Sequence, residues 1–322
     1  MKAHVVTASG PTLSDIDAPE PGSEDVLVRV RACALNRADL AMARGVKHGA
    51  AGGEGQVLGL EWAGDVVQAG AAVSGFAPGD RVMGSGASAF AEYAVSDHGR
   101  IMHIPAGMTF EQAAGLPVAL QTMHDAAVTH GQLAPGQSVL VQGASSGVGL
   151  MALQIARLKG AGVVIGSSTN AERRARLKEF GADVVVDTKD DGWVRQVREA
   201  TGGEGVDLVV DQITGALASQ TLHATRILGR IVNVGRLGGN QAEFDFDIHA
   251  RRRITLVGVT FRTRSKAEVR EISRRMLADI GPAISDGRLS LPVSDVFAFS
   301  DLPAALARMG ANQHFGKIVL RL

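Results

Sequence analysis

The sequence predicts an α/β protein: a doubly wound parallel sheet in mid-chain, with a mostly antiparallel β domain built from what precedes and follows it. Three observations predict this. From residue 135 onward, short β-branched runs alternate with helix-like segments. The first 118 residues instead hold strands broken by Gly, Pro and Asp turns, with little helix between them. Finally, a strand that runs straight into small residues, VLVQGASSGVGL, stands at 139–150, close to the middle of the 322 residues.

Taken in order, EDVLVRVRACALN (24–36), EWAGDVVQAG (61–70), GDRVMGSG (79–86) and FAEYAVSD (90–97) read as strands of an antiparallel sheet. Then come six runs: SVLVQG, GVVIGS, DVVVD, VDLVVD, GRIVNVG and ITLVGVTF, all between 138 and 261. They are separated by helical stretches such as GLMALQIARLKG, NAERRARLKEFG and GWVRQVREATG. Continuous apolar strands divided by helices signal a parallel sheet covered on both faces. After residue 262 follow a helix, KAEVREISRRMLADI, a strand, LPVSDVFAF, and a last strand, GKIVLRL, expected to pack back on the first domain. The expected boundaries are 1–120, 121–262 and 263–322.

Composition narrows the function classes. A chain of 322 residues, 45% of them hydrophobic, suits two domains rather than one core. Lys plus Arg number 33 and Asp plus Glu 33, so the basic excess that phosphate backbones demand is missing and nucleic acid is not an expected partner. The opening MKAHVVTASGPTLSD lacks the apolar core of a signal peptide, and no apolar run is long enough to span a bilayer; no membrane association and a cytoplasmic location are expected. The single cysteine, Cys33, rules out an internal disulfide and a Cys-based zinc site, and no metal is expected.

The mid-chain hinge carries the first chemistry. A strand that turns sharply into a helix presents backbone N–H groups and a positive helix end to a pyrophosphate. In the glycine fingerprint for this turn, Ala144, Ser146 and Gly149 take the three glycine slots, with Ser145, Gly147 and Val148 between them. No G-x-x-x-x-G-K-[ST] occurs, which excludes a P-loop. Enzymes that select NAD place a carboxylate after the second strand for the ribose 2′-hydroxyl. This chain has Ser167, Ser168 and Thr169 there, with Arg173 and Arg174 following, a set suited to a 2′-phosphate, so NADPH is the expected cofactor. Val234 and Gly235, ending the fifth strand, fall where such a sheet places its ligand crevice.

These pieces together resemble the medium-chain dehydrogenase/reductase superfamily, in its zinc-free NADPH:quinone oxidoreductase branch. The more specific pieces are NRADLAMARG (36–45), GLEWAGDVVQAG (59–70), GDRV (79–82), the hinge itself, GAD (181–183) and GKIVL (316–320). The short-chain dehydrogenases share the GASSGVG hinge, but theirs lies near the start and works with a Tyr-x-x-x-Lys pair, whereas the one tyrosine here, Tyr93, heads YAVSD.

The resemblance implies a GroES-like catalytic domain threaded first, which explains the mid-chain hinge. It implies that Thr169 and Arg173 meet the 2′-phosphate, that Thr122 faces the nicotinamide, and that Phe315, Gly316 and Lys317 of HFGK lie near the carboxamide. Phe261 and Arg264 of FRTR either overhang the cofactor or belong to a surface loop. Asn36 is implied as the polar catalytic group in the cleft, and Asp39 as a helix cap. The zinc-dependent branch holds its catalytic metal with Cys, His and Cys; the matching positions here are Asn36, Leu60 and Val118, with Glu61 retained.

Without a Lewis acid, hydride delivery to a conjugated electrophile, a quinone or an α,β-unsaturated carbonyl, is the implied reaction, because the substrate's own carbonyl accepts the charge. Two departures bear on it: relatives often carry a tyrosine near Lys47 and another at Thr188, and both are missing here. Two alternatives stay open, an enoyl-thioester reductase and an NADPH-binding protein with little catalysis, such as a crystallin or a sensor. A homodimer paired through ITLVGVTF (254–261) is also implied.

Overall fold

A computed structural model describes all residues, Met1–Leu322. The chain forms two units, one from Met1–Ala119 with Phe261–Leu322 and the other from Leu120–Thr260.

The first unit opens with a hairpin of β1 (Lys2–Thr7) and β2 (Gly10–Asp15). Then come β3 (Asp25–Ala34), helix α1 (Arg37–Met42), β4 (Glu61–Ala69), β5 (Arg81–Ser85), β6 (Tyr93–Asp97) and β7 (Ile101–His103), followed by α2 (Phe110–Ala114). Along β3, inward positions such as Val26, Val28 and Val30 alternate with outward Arg29 and Arg31, the period-two pattern of a half-buried strand. Their core gathers around Trp62 and Phe90, both fully buried.

Helix α3 (Pro117–His124) leads into the second unit and runs on as a π-helical turn, Asp125–His130. His124 and Asp125 are both buried, and Asp125 faces His130 at 3.5 Å. The second unit then alternates β8 (Ser138–Val141), α4 (Gly147–Leu158), β9 (Val163–Ser167), α5 (Ala171–Ala175), β10 (Val184–Val186), α6 (Trp193–Glu199), β11 (Val206–Asp211), α7 (Ala218–Ala224), β12 (Thr225–Asn233), α8 (Phe246–Arg252) and β13 (Thr255–Gly258). All six strands pair in parallel, in the order β10-β9-β8-β11-β12-β13. The order reverses direction between β8 and β11, so the crevice lies at the carboxyl ends of those two strands. The sixth strand is shorter than the eight-residue apolar run that announced it; Ile254 and Val259, just beyond its ends, are buried, while Leu256 within it stays exposed.

The tail returns to the first unit. Helix α9 (Lys266–Ser285), β14 (Val293–Ala298), α10 (Leu302–Gly310) and β15 (Lys317–Arg321) follow, and β15 enters the first sheet between β14 and β3. Val319, Leu320 and Arg321 pair antiparallel with Ala34, Cys33 and Ala32, which brings Lys317 beside the end of β3.

Candidate active site

In the second unit, the hinge forms the turn that the fingerprint demands. Ser146 is the N-cap of α4: its Oγ accepts the Gly149 N–H at 3.1 Å. Gly149 is required by packing, since a Cβ there would stand 2.6 Å from the Ala144 Cα. Gly143 and Ala144 hold the turn against β9, Gly143 N–H on Ser167 Oγ at 3.1 Å and Ala144 N–H on the Ser167 carbonyl at 2.9 Å. Ser145 is tied to Ser168 hydroxyl to hydroxyl at 3.1 Å. Helix α4 is twelve residues long, so the N–H groups and dipole at its start make an anion-binding end.

Ser167 and Ser168 are buried at the end of β9, Thr169 is exposed, and Arg173 lies half-buried in the first turn of α5, its backbone N–H capped by Asn170 at 2.9 Å. One neighbour, Asp187, escaped the sequence reading. Arg174 donates to the Ser168 carbonyl at 2.8 Å and to Asp187 at 2.9 Å, so a carboxylate does approach this corner, from the end of β10 rather than β9, and a guanidinium neutralises it. The signal was the DVVVD run itself, whose final Asp lies one strand over.

Val234 and Gly235 both donate to the Asp211 carbonyl, at 2.7 and 3.1 Å, which folds the end of β12 over the end of β11. Asp211 accepts from the Ile213 and Thr214 N–H groups at 2.8 and 2.9 Å; burial nevertheless holds its carboxyl above the usual range. Gln212 is the second residue that sequence reasoning missed. Its Nε2 donates to the Gln142 carbonyl at 3.1 Å and its Oε1 faces Ser146 Oγ at 3.1 Å, so it clasps the β11 end onto the hinge. The structure thus joins Ala144–Gly149, Ser167, Ser168, Val234 and Gly235 in one hydrogen-bonded rim. Thr122 lies apart from that network, half-buried on α3.

The first unit holds Asn36, Phe261, Arg264, Phe315, Gly316 and Lys317. Phe261 and Arg264 sit in the turn before α9, where Arg264 pairs with Glu268 at 3.3 Å, while Phe315 is buried just before β15. Asn36 and Lys317 come together. The buried Lys317 ammonium donates to Asn36 Oδ1 at 3.0 Å and to Glu61 Oε1. Asn36 Nδ2 donates to the same Glu61 oxygen at 2.9 Å, and the Val118 N–H donates to Glu61 Oε2 at 2.9 Å. Asp39 closes the group as a helix cap, its Oδ2 accepting the Asn36 N–H at 2.6 Å. Burial pushes the Asp39 carboxyl up to about 7; the Asn36 N–H and the Lys317 charge oppose this and the Glu61 charge adds to it.

Comparisons with known proteins agree with this architecture. Two family models match, an alcohol dehydrogenase GroES-like domain over residues 22–106 and a zinc-binding dehydrogenase over 147–278. Erythronolide synthase EryA2 of Saccharopolyspora erythraea is 34% identical over 316 residues, covering 95% of this chain; the chain spans only 8% of that protein's length. Among solved structures, a probable oxidoreductase from Mycobacterium abscessus is 30% identical with a TM-score of 0.87, over 100% of this chain and 99% of that one. A mycobacterial protein complexed with NADPH (26%, TM-score 0.87) and a quinone oxidoreductase from Pseudomonas syringae (26%, TM-score 0.85) each align over 100% of both chains.

Proposed function

The chain belongs to the medium-chain dehydrogenase/reductase superfamily, and from that premise we propose that it is an NADPH-dependent reductase of quinones and α,β-unsaturated carbonyls that works without a metal. The observation that carries the proposal is that one chain holds both a rim of Ser167, Ser168 and Arg174 beside the glycine-type hinge and, in its other unit, a polar centre of Asn36, Glu61 and Lys317.

A zinc ion does not fit that centre. Of the three positions that match the ligands of the zinc-dependent branch, one is an amide, one is leucine, and Val118 contributes a backbone N–H donor; no group of three His, Cys, Asp or Glu side chains could hold a metal.

A dinucleotide does fit the rim. Gly149 lets the start of α4 close onto the Ala144 turn, and the N–H groups at that helix start suit the pyrophosphate. In this reading Ser167, Ser168, Thr169 and Arg173 hold the 2′-phosphate, with Val234 and Gly235 lining the nicotinamide end. Thr122, Phe261, Arg264, Phe315 and Gly316 keep the cofactor-facing roles that the family resemblance implies.

When bound, NADPH supplies the hydride. The chain's part is orientation and charge. Hydride addition at the β-carbon sends an electron pair to the carbonyl oxygen, where the Asn36 amide donates a hydrogen bond to the developing enolate, and a proton from water then completes the α-carbon. For a quinone the same flow ends at the hydroquinone.

A second reading, reduction of an α,β-unsaturated thioester, is favoured by one observation: the chain matches a small part, 8%, of a synthase that it resembles at 34% identity. Oxidation of NADPH with quinones, simple enones and enoyl thioesters separates the readings. The proposal expects turnover of the first two classes; turnover confined to thioesters supports the second reading, and none at all despite NADPH binding leaves a binding protein. A homodimer belongs to the same proposal, supported by the exposed β13 edge.

A further inference from the structure

Of the three positions that match the zinc ligands of the metal-dependent branch, two, Asn36 and Val118, bind the buried carboxylate Glu61, and Asn36 and Glu61 in turn bind an ammonium. Asn36 offers its side chain and Val118 its backbone to Glu61, and Glu61 and Asn36 both bind Lys317, which is 4% exposed beside a fully buried Glu61. Lys317 reaches this point because residue 115 is glycine. A Cβ there would meet the lysine stem 2.9 Å from Cγ and 3.2 Å from Cβ, atoms too close to the backbone to swing away.

Chemistry then fixes the orientation of the Asn36 amide. Lys317 only donates, so it must face Oδ1; the Glu61 carboxylate only accepts, so it must face Nδ2. An asparagine held between a donor and an acceptor in this way cannot flip. One Nδ2 hydrogen is used on Glu61, and the second has no partner within the protein.

We propose that Lys317 is the resident cation of this site and that, with Glu61, it is a positioning residue: the pair locks Asn36 so that its remaining amide N–H is presented as the hydrogen-bond donor to the substrate carbonyl oxygen. The inference rests on the reading of Asn36 as the substrate-facing group. It adds the device that aims the amide, and it assigns Lys317 to the catalytic centre rather than to the cofactor. It also explains how the site works with an amide where related enzymes place a metal: a fixed monovalent charge beneath the amide orients a donor, while the conjugated substrate polarises itself.

The test pairs kinetics with a direct view of the amide. The variants are Asn36→Ala, the double variant Lys317→Met/Glu61→Leu, which removes both buried charges together, and Gly115→Ala, which leaves the charges and displaces the lysine stem. The chain has five asparagines, so [15N]asparagine labelling gives five side-chain amide signals, and Asn36→Ala identifies its own. Both charge and stem variants are expected to collapse the separation of the two Asn36 amide protons. They are also expected to lower kcat for cyclohexenone about 10- to 100-fold, with KM and NADPH affinity within about twofold.

An unchanged Asn36 signal, or full kcat in a variant whose Asn36 signal has collapsed, overturns the positioning role. If Asn36→Ala itself leaves kcat intact, the reading of Asn36 fails first and takes this inference with it, an outcome distinct from the other two. Should the double variant not fold, Gly115→Ala carries the same decision alone.

Discussion

In the proposed function, Arg173 is the residue on which cofactor choice turns. A charge-assisted hydrogen bond contributes roughly 1.5 to 3 kcal/mol, so Arg173→Ala is expected to weaken NADPH binding about 10- to 150-fold and to leave NADH binding nearly unchanged; equal losses in a fluorescence titration would refute the assignment. Arg174 acts differently. It neutralises Asp187, and Arg174→Ala would leave a bare carboxylate near the 2′-phosphate, so NADPH binding should fall while NADH binding holds or improves in the same titration.

Asp39 supplies a stability prediction. Its folded-state carboxyl is pushed up to about 7, well above the ordinary 3.8, so the folded chain holds this proton more tightly than the unfolded one. Its contribution is fully present below about pH 4 and is lost as pH rises through about 7. Asp39→Asn keeps an oxygen for the Asn36 N–H and removes the titration. Between about pH 4 and pH 8, denaturant melts should therefore show the variant gaining up to about 4 kcal/mol relative to wild type. Parallel pH profiles for the two proteins would contradict this.

Among the elements, α4 is the one on which the proposed cofactor site rests, and its N-cap is the most exposed to test. Ser146→Ala removes the acceptor for the Gly149 N–H and loosens the Gln212 clasp, so about 1 kcal/mol of stability should be lost together with some NADPH affinity. A thermal melt and a binding isotherm check both; a variant weakened in neither would show that the cap is idle.

The same elements mark how far the sequence could be read. The six parallel strands and their helices were legible because a β-branched run bounded by glycine has one simple reading, and the hinge was legible because its spacing is local. The rim's second layer was not. Gln212 and Asp187 look like ordinary polar residues at strand ends, and only the strand order β10-β9-β8-β11 brings Gln212 to the hinge and Asp187 to Arg174 at the corner beyond β9. Lys317 and Glu61 are 256 residues apart in sequence and meet because β15 inserts beside β3, a register that no local pattern encodes.

At the scale of the whole molecule, the edge strand β13 pairs with β12 alone and leaves Leu256 about half exposed, with Ile227, Leu228 and Phe246 of the same unit also exposed. An apolar edge of this kind invites pairing with a second copy across a twofold axis. The chain is expected to sediment as a dimer, and Leu256→Lys to shift it toward monomer with NADPH binding retained; a wild-type monomer would remove the dimer from the account.

The central claim is conjugate rather than carbonyl reduction, directed by an amide and a buried ammonium instead of a metal. The most direct measurement is the position of deuterium in cyclohexenone reduced with NADPH deuterated at its transferable hydrogen, after the enzyme has been treated with a chelator. The expected product is saturated ketone carrying one deuterium at the β-carbon, formed at the untreated rate. Deuterium at the carbonyl carbon of an allylic alcohol, or turnover that the chelator abolishes and zinc restores, would contradict it.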